Sequence, residues 1–389
     1  MRVPGREDVP AAEFEDVVRE VFEALKPVKD FRSLHGRQIE LRGTLALIIL
    51  ALASGVQSYR RIALFGRQRE GNLIPLLGLN RAPSASTVRR IVMGADQDEI
   101  REVLRRSGIA ALAGRRVFKM AVDGKTLRGA RRKDGSHVQV VDTSEPETGV
   151  VLDSRPCARN EGELTAGRKL FGETLDRMPQ VQTGTADALY PDEASAREVV
   201  DRGRDYLFKV KENKATLFEE VKTCFEPGAP IADTAAETEK GHGRIVERTC
   251  RTSQVLHGYS ELPGLHQAGE VTRRTTVQKT GEVSVEVRYA VTSASPRKLN
   301  AKGFMDTMRG HWGIENRNFH VRDDTWREDR QVIRNERGAF AMHVFLGVAM
   351  NLLRTSSRFW KDDAPMTTRI DTLRHTLSVC PETCIRNDT

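Results

Sequence analysis

VFKMAVDG, residues 117–124, is the stretch on which the fold turns. Apolar and β-branched residues run through it and stop at an acid and a glycine, which reads as a strand ending near Asp123 and Gly124. Two more strands follow, HVQVVD (137–142) and GVVLDSR (149–155), joined by the turn SEPETG. GELTAGRKLFGETLDRM (162–178) has helical spacing. VQTGTADALY (181–190) reads as a fourth strand ending near Asp187. DEASAREVVDRG (192–203) is a helix with an acidic first turn, favoured by the helix dipole. DYLFKVKEN (205–213) is a fifth strand. Three strands, helix, strand, helix, strand is the order of the ribonuclease H fold, a mixed sheet covered by helices on both faces.

Outward from this core, residues 1–112 read as a helical domain. EFEDVVREVFEAL (13–25) is amphipathic, and TLALIILALASG (44–55) is a buried helix too short for a membrane span of ~20 residues. Two short basic segments follow, SYRRIALFGRQREG (58–71) and SASTVRRIVMGA (84–95). Ser84 or Ser86 would cap the second, and Arg89 and Arg90 on it suit either a DNA-reading helix or the basic face of a helical bundle. The core takes 113–214. A β-rich, largely antiparallel insertion occupies 215–300. Helices return over 301–356, among them the apolar AFAMHVFLGVAMNLLR (339–354), and 357–389 form a tail.

Composition narrows the function. The chain has 389 residues, a formal net charge of +8, 39% hydrophobic and 30% charged residues. These values fit a soluble protein with a polyanionic partner and no membrane span. Five scattered cysteines, Cys157, Cys224, Cys250, Cys380 and Cys384, form no CxxC pair and suit a reducing cytoplasm. MRVPGREDVPAAEFEDVV at the start has no apolar signal-peptide core.

Three acids stand out. Asp123 and Asp187 end strands that neighbour each other in a ribonuclease H sheet. Glu315, in HWGIENRNFH (311–320), lies on a later helix that can cross them. Converging carboxylates repel unless cations neutralise them, and hard Mg²⁺ or Mn²⁺ suits oxygen ligands. Two such ions can drive phosphodiester chemistry. Either Asp alone would be an ordinary strand-end acid. The runs RRVFK (115–119) and KTLRGARRK (125–133) supply Lys125, Arg128, Arg131 and Arg132 as phosphate contacts. Trp312 and Trp326 are more often core residues than base-stacking ones, and His311 and His320 could meet phosphate.

AVDGKTLRGA, RNEG, TADALY, DYLFKVKENKATL, HGRIVER and HWGIENRNFHVRDDTWREDR occur in the order seen in a known family. From about residue 15 to 355 the chain resembles the H-repeat-associated (ISAs-type) DDE transposases of bacterial insertion sequences, in the IS-four-like group. The resemblance implies a ribonuclease H-like core and catalytic, metal-binding roles for Asp123, Asp187 and Glu315. It implies Mg²⁺ (or Mn²⁺), DNA partners in the terminal inverted repeats and the target, and a homodimer on DNA. The group's Tyr-x2-Arg-x3-Glu-x6-Lys signature falls on Met308, His311, Glu315 and Arg322, so Tyr is missing. Arg309 could replace the signature Arg, and Arg309, His311, Trp312 and Arg322 become expected DNA contacts. Asp323, Asp324, Glu328 and Asp329 are expected to pair with Arg322, Arg327 and Arg330. The competing readings are a transposase-derived DNA-binding protein without activity and a nuclease of the same fold that does not join strands.

Overall fold

The computed structural model describes residues 11–355, 360 and 364–379. Cys380 and Cys384, and part of the expected tail, lie outside the described residues.

The described residues open with six α-helices: α1 (Ala11–Ala24), α2 (Leu41–Ala53), α3 (Tyr59–Arg67), α4 (Leu73–Leu76), α5 (Ala85–Gly94) and α6 (Gln97–Ala111). The apolar α2 is buried along almost its whole length. Ser84 caps α5, its hydroxyl accepting from the Thr87 amide at 3.2 Å.

Next come β1 (Lys119–Arg131), β2 (His137–Ser144), β3 (Val151–Pro156), α7 (Glu163–Arg177), β4 (Thr183–Ala186), α8 (Glu193–Val200), β5 (Asp205–Val210) and α9 (Ala215–Thr223). The strands β6 (Asp233–Gly241), β7 (Arg244–Ser253), β8 (Gln267–Val277) and β9 (Val283–Thr292) follow. The described residues close with α10 (Ala301–Gly310), a π-helical turn (Ile314–Phe319), α11 (His320–Thr325), α12 (Glu336–Thr355) and α13 (Met366–Val379).

The nine strands among the described residues form one sheet in the order β3-β2-β1-β4-β5-β9-β8-β7-β6. The first five have the ribonuclease H arrangement, with β1, β4 and β5 parallel. The insertion is antiparallel, as expected, but begins with a helix, α9. Its last strand pairs with β5, Leu207 opposite Thr292 and Val210 opposite Tyr289, so it extends the five-stranded sheet. Without β9, β5 would present an open edge.

β1 runs well past the strand end expected at Gly124. Its pairing with β4 stops at Val122, and from there it continues as a hairpin arm against β2, with Leu127 opposite Val138. Leu127 and Ala130 are buried, which holds this arm on the fold.

Strand alternation sorts side chains between two layers. Met120 and Val122 pack with Phe171 of α7 and Phe208 of β5. On the other face, Leu127, Val138, Val140 and Val151 share one core with α2, α5, α6 and α12. α12 is long and apolar enough to cross a membrane, but it is buried as the central helix of this core.

Candidate active site

The register of β1 and β4 builds the site. Val122 lies opposite Ala186, so Asp123 and Asp187 leave the carboxyl ends of two adjacent parallel strands side by side. Ligand chemistry in open α/β sheets collects at such ends. Phe208 of β5 also lies opposite Ala186, and the next residue on β5 is Lys209. Asp123 Oδ1 accepts from the Gly124 amide at 2.9 Å, and Asp187 Oδ1 from the Leu189 amide at 2.9 Å. Glu315 is exposed on the π-helical turn.

Electrostatics shows that these groups converge. Burial and then the Asp187 carboxylate, with further contributions from Glu315 and Glu163, push Asp123 up to about 7. Burial lowers Lys209 to about 8, while Glu315, Asp123 and Asp187 pull the other way. Asp187 and Glu315 therefore act on both groups. Their donors are carboxylate oxygens with no sulfur among them, a set that fits a hard divalent cation. Among the described residues, no three acidic, histidine or cysteine side chains already close around a metal position.

The π-helical turn is held from beneath by a buried polar network. Asn318 Nδ2 donates to Asp142 Oδ2 at 3.0 Å, and Arg322 Nε donates to Asn318 Oδ1 at 2.7 Å. Arg322 also donates to Glu328 Oε1 at 3.3 Å and to the His343 carbonyl at 3.0 Å. His343 lies between Asp142 and Glu328, each at 2.9 Å. Burial and Arg322 oppose a charge on His343, but the two carboxylates outweigh them and raise it above its usual range. Burial would raise Glu328, yet His343 and Arg322 bring it down to about 2. Asp142 is likewise depressed against burial by His343 and Arg322.

Several expected DNA contacts are placed elsewhere. Arg322 is fully buried in the network above and cannot reach a phosphate. His311 is also fully buried, its Nδ1 3.0 Å from Thr185 Oγ1, and burial followed by Lys209 keeps it neutral. Lys125 is buried too, its Nζ 2.6 Å from Asp323 and 3.5 Å from Asp329. Glu328 thus pairs with Arg322 as expected, but Asp323 and Asp329 pair with Lys125. Arg132 is spent on Glu336 at 2.9 Å and on the carbonyls of His137 and Cys157. Arg309 reaches Glu239 at 2.6 Å and Glu237 at 3.2 Å across the insertion. Trp326 is core, its indole N–H donating to the Leu52 carbonyl at 2.7 Å. Trp312 is partly exposed, with the Arg288 guanidinium 3.9 Å over its ring and Lys209 Nζ at 5.3 Å. Arg89, Arg90, Arg128 and Arg131 are exposed, Arg128 within 3.4 Å of Asp329.

Sequence reading missed Lys209 and Glu163. A lysine inside the apolar strand DYLFKV, one residue beyond the partner of Ala186, was the available signal for the first. Nothing in the sequence brings Glu163, the first residue of α7, to Asp123.

Fold and site together define a ribonuclease H-like protein with a carboxylate centre at its strand ends. Residues 119–352 match the family model described as transposase DDE domain, and 22–106 match the one described as DDE_Tnp_1-associated. The chain belongs to the DDE transposase family. Similar proteins include the "H repeat-associated putative transposase YhhI" of Escherichia coli K12, 26% identical over 88% of this chain and 92% of that one. YbfL of the same strain is 27% identical over the same shares. The "Putative transposase YncI" of Escherichia coli O157:H7 is 26% identical over 87% of this chain and 88% of that protein. DDE domains generally act with divalent metal ions, and the family implies DNA as partner.

Proposed function

We propose that the protein binds the terminal inverted repeats of its own insertion element, cuts the strands at its ends, and joins the freed 3′-hydroxyls to target DNA. Asp123, Asp187 and Glu315 hold Mg²⁺, or Mn²⁺ in its place. The observation that carries this reading is the parallel register of Val122 and Ala186, with Asp123 electrostatically coupled to both Asp187 and Glu315. When bound, the ions supply Lewis acidity to the attacking and leaving oxygens of a phosphodiester.

The chain's own residues do the rest. Lys209 stands over the acids as a fixed cation that attracts a phosphate without needing to reorganise. Trp312, clamped by Arg288, forms the wall beside it. Arg89, Arg90, Arg128 and Arg131 offer exposed charge to the DNA backbone, which gives register without base reading. Two element ends need two such centres, so a homodimer on DNA is the working assembly.

The test uses labelled DNA carrying the element's ends, with Mg²⁺ or with chelator, and compares the natural chain with Asp187→Ala. Metal-dependent cleavage and joining that vanish in the variant support the reading. Tight binding with no cleavage by either protein overturns it in favour of a DNA-binding protein. Cleavage without joining points to a nuclease.

A further inference from the structure

We infer that Glu163 is a fourth carboxylate of the cation site, reaching it over Gly124 from the opposite side of the sheet, and that Tyr190 positions it. This assignment rests on the proposal that Asp123 and Asp187 bind divalent cations, and it adds a residue which that proposal does not contain.

Three observations support it. The Glu163 carboxylate lies directly over the backbone of the residue after Asp123. A β-carbon added to Gly124 would stand 2.2 Å from the Glu163 carboxyl carbon and 2.4 Å from Oε2. Among the described residues, Glu163 has neither a hydrogen bond nor an ion pair, although it is half-buried. A carboxylate withdrawn from water and left unpaired is costly. Burial and the neighbouring Asp187 both raise it.

The third observation is Tyr190. It is completely buried, and its hydroxyl has no partner among the described residues. That hydroxyl passes against Gly167, where a β-carbon would stand 1.9 Å away. Gly167 is four residues after Glu163, so the two share one face of α7. The phenol is held neutral by burial, with Glu163, Asp187 and Asp123 adding in that order. A buried, unpartnered hydroxyl on the same face of α7 as an unpaired carboxylate, under the influence of two further acids, is what a cation site needs to orient an additional ligand. Asp123 would then lie between two cation positions, one shared with Asp187 and Glu315 and one with Glu163.

Mn²⁺ binding to the full-length chain, followed by electron paramagnetic resonance of the free ion, tests this without DNA and without turnover. Four proteins are compared: the natural chain, Glu163→Gln, Gly124→Ala and Asp187→Asn. Gln preserves the shape of Glu163. The added methyl of Gly124→Ala meets only the far end of the flexible Glu163 side chain, so the fold is kept while the carboxylate is displaced. Melting curves confirm folding.

The expected result is that Glu163→Gln and Gly124→Ala each lose one of two bound ions, or weaken one site by at least about tenfold. Asp187→Asn should lose the other ion. If Glu163→Gln binds Mn²⁺ like the natural chain, or more tightly, the inference is overturned while the three-acid site stands. If the natural chain binds no Mn²⁺ and Asp187→Asn changes nothing, the three-acid reading itself fails.

Discussion

Asp123 binds its proton far more tightly in the folded chain than in the unfolded one, about 7 against 3.8, because burial, Asp187 and Glu315 all disfavour its charge. At pH below about 4 both states hold the proton. Above that the unfolded chain releases it while the folded chain keeps it, so this group's contribution to stability falls until about pH 7 and then levels. After discounting for solvent, the loss is on the order of 2 kcal/mol. In chelator, Asp123→Asn should therefore melt a few degrees above the natural chain at pH 8, with no difference at pH 4. Thermal melts across pH measure this, and a constant difference would mean that the acids do not crowd one another. Adding Mg²⁺ should stabilise the natural chain and not the variant.

At the scale of elements, the π-helical turn depends on charges that never meet solvent. Arg322 joins Asn318 on that turn to Glu328 and to the His343 carbonyl of α12. Removing one member of a buried ionic network leaves its partners uncompensated, a loss of roughly 3–5 kcal/mol. Arg322→Met should lower the unfolding free energy in urea by about that amount. Arg89→Ala with Arg90→Ala on α5 should leave stability within about 0.5 kcal/mol and weaken DNA binding, measured by anisotropy at low salt. If Arg322→Met instead keeps full stability and loses only DNA affinity, the buried-anchor reading is wrong.

These elements also show what the sequence could reveal. The strand and helix order from residue 117 to 210 was readable because each segment carries its own periodicity and turn residues. The place of Asp187 just past β4 was readable because a strand end is a local feature, whereas Asp123 lies inside β1, at the point where pairing with β4 stops. The fates of Arg322, His311, Lys125 and Arg132 were not. A basic residue in a polar stretch looks the same whether it faces solvent or pairs with an acid brought in by the fold. Asp142 and His343 are far apart in the chain, and only the packing of α12 across β2 joins them. Glu163 was hidden for the same reason, since its approach over Gly124 depends on where α7 crosses the sheet. The strand end expected at Gly124 failed because pairing with β2 continues where pairing with β4 stops.

At the scale of the whole molecule, one hydrophobic core contains α2, α5, α6 and α12 together with Leu127, Val138, Val140 and Val151 of the sheet. The N-terminal helices therefore complete the layer that covers this face. A chain beginning at residue 113 should expose that apolar surface and behave as a loosely packed state, with near-ultraviolet circular dichroism lost while far-ultraviolet signal remains. Recovery of a sharp, native-like melting transition by this fragment would contradict the shared core. Exposed cationic side chains on a chain of net charge +8 also predict DNA affinity that falls steeply with salt.

The central claim is that Glu315, exposed on the π-helical turn, acts with Asp123 and Asp187 as one catalytic centre. Strand register brings the two aspartates together, but Glu315 arrives only through the fold. The most direct measurement is single-turnover cleavage of pre-bound element-end DNA in Mg²⁺ by Glu315→Gln. Unchanged DNA affinity with a cleavage rate reduced by about a thousandfold or more is the predicted result. Cleavage at the natural rate would remove Glu315 from the centre and contradict the account.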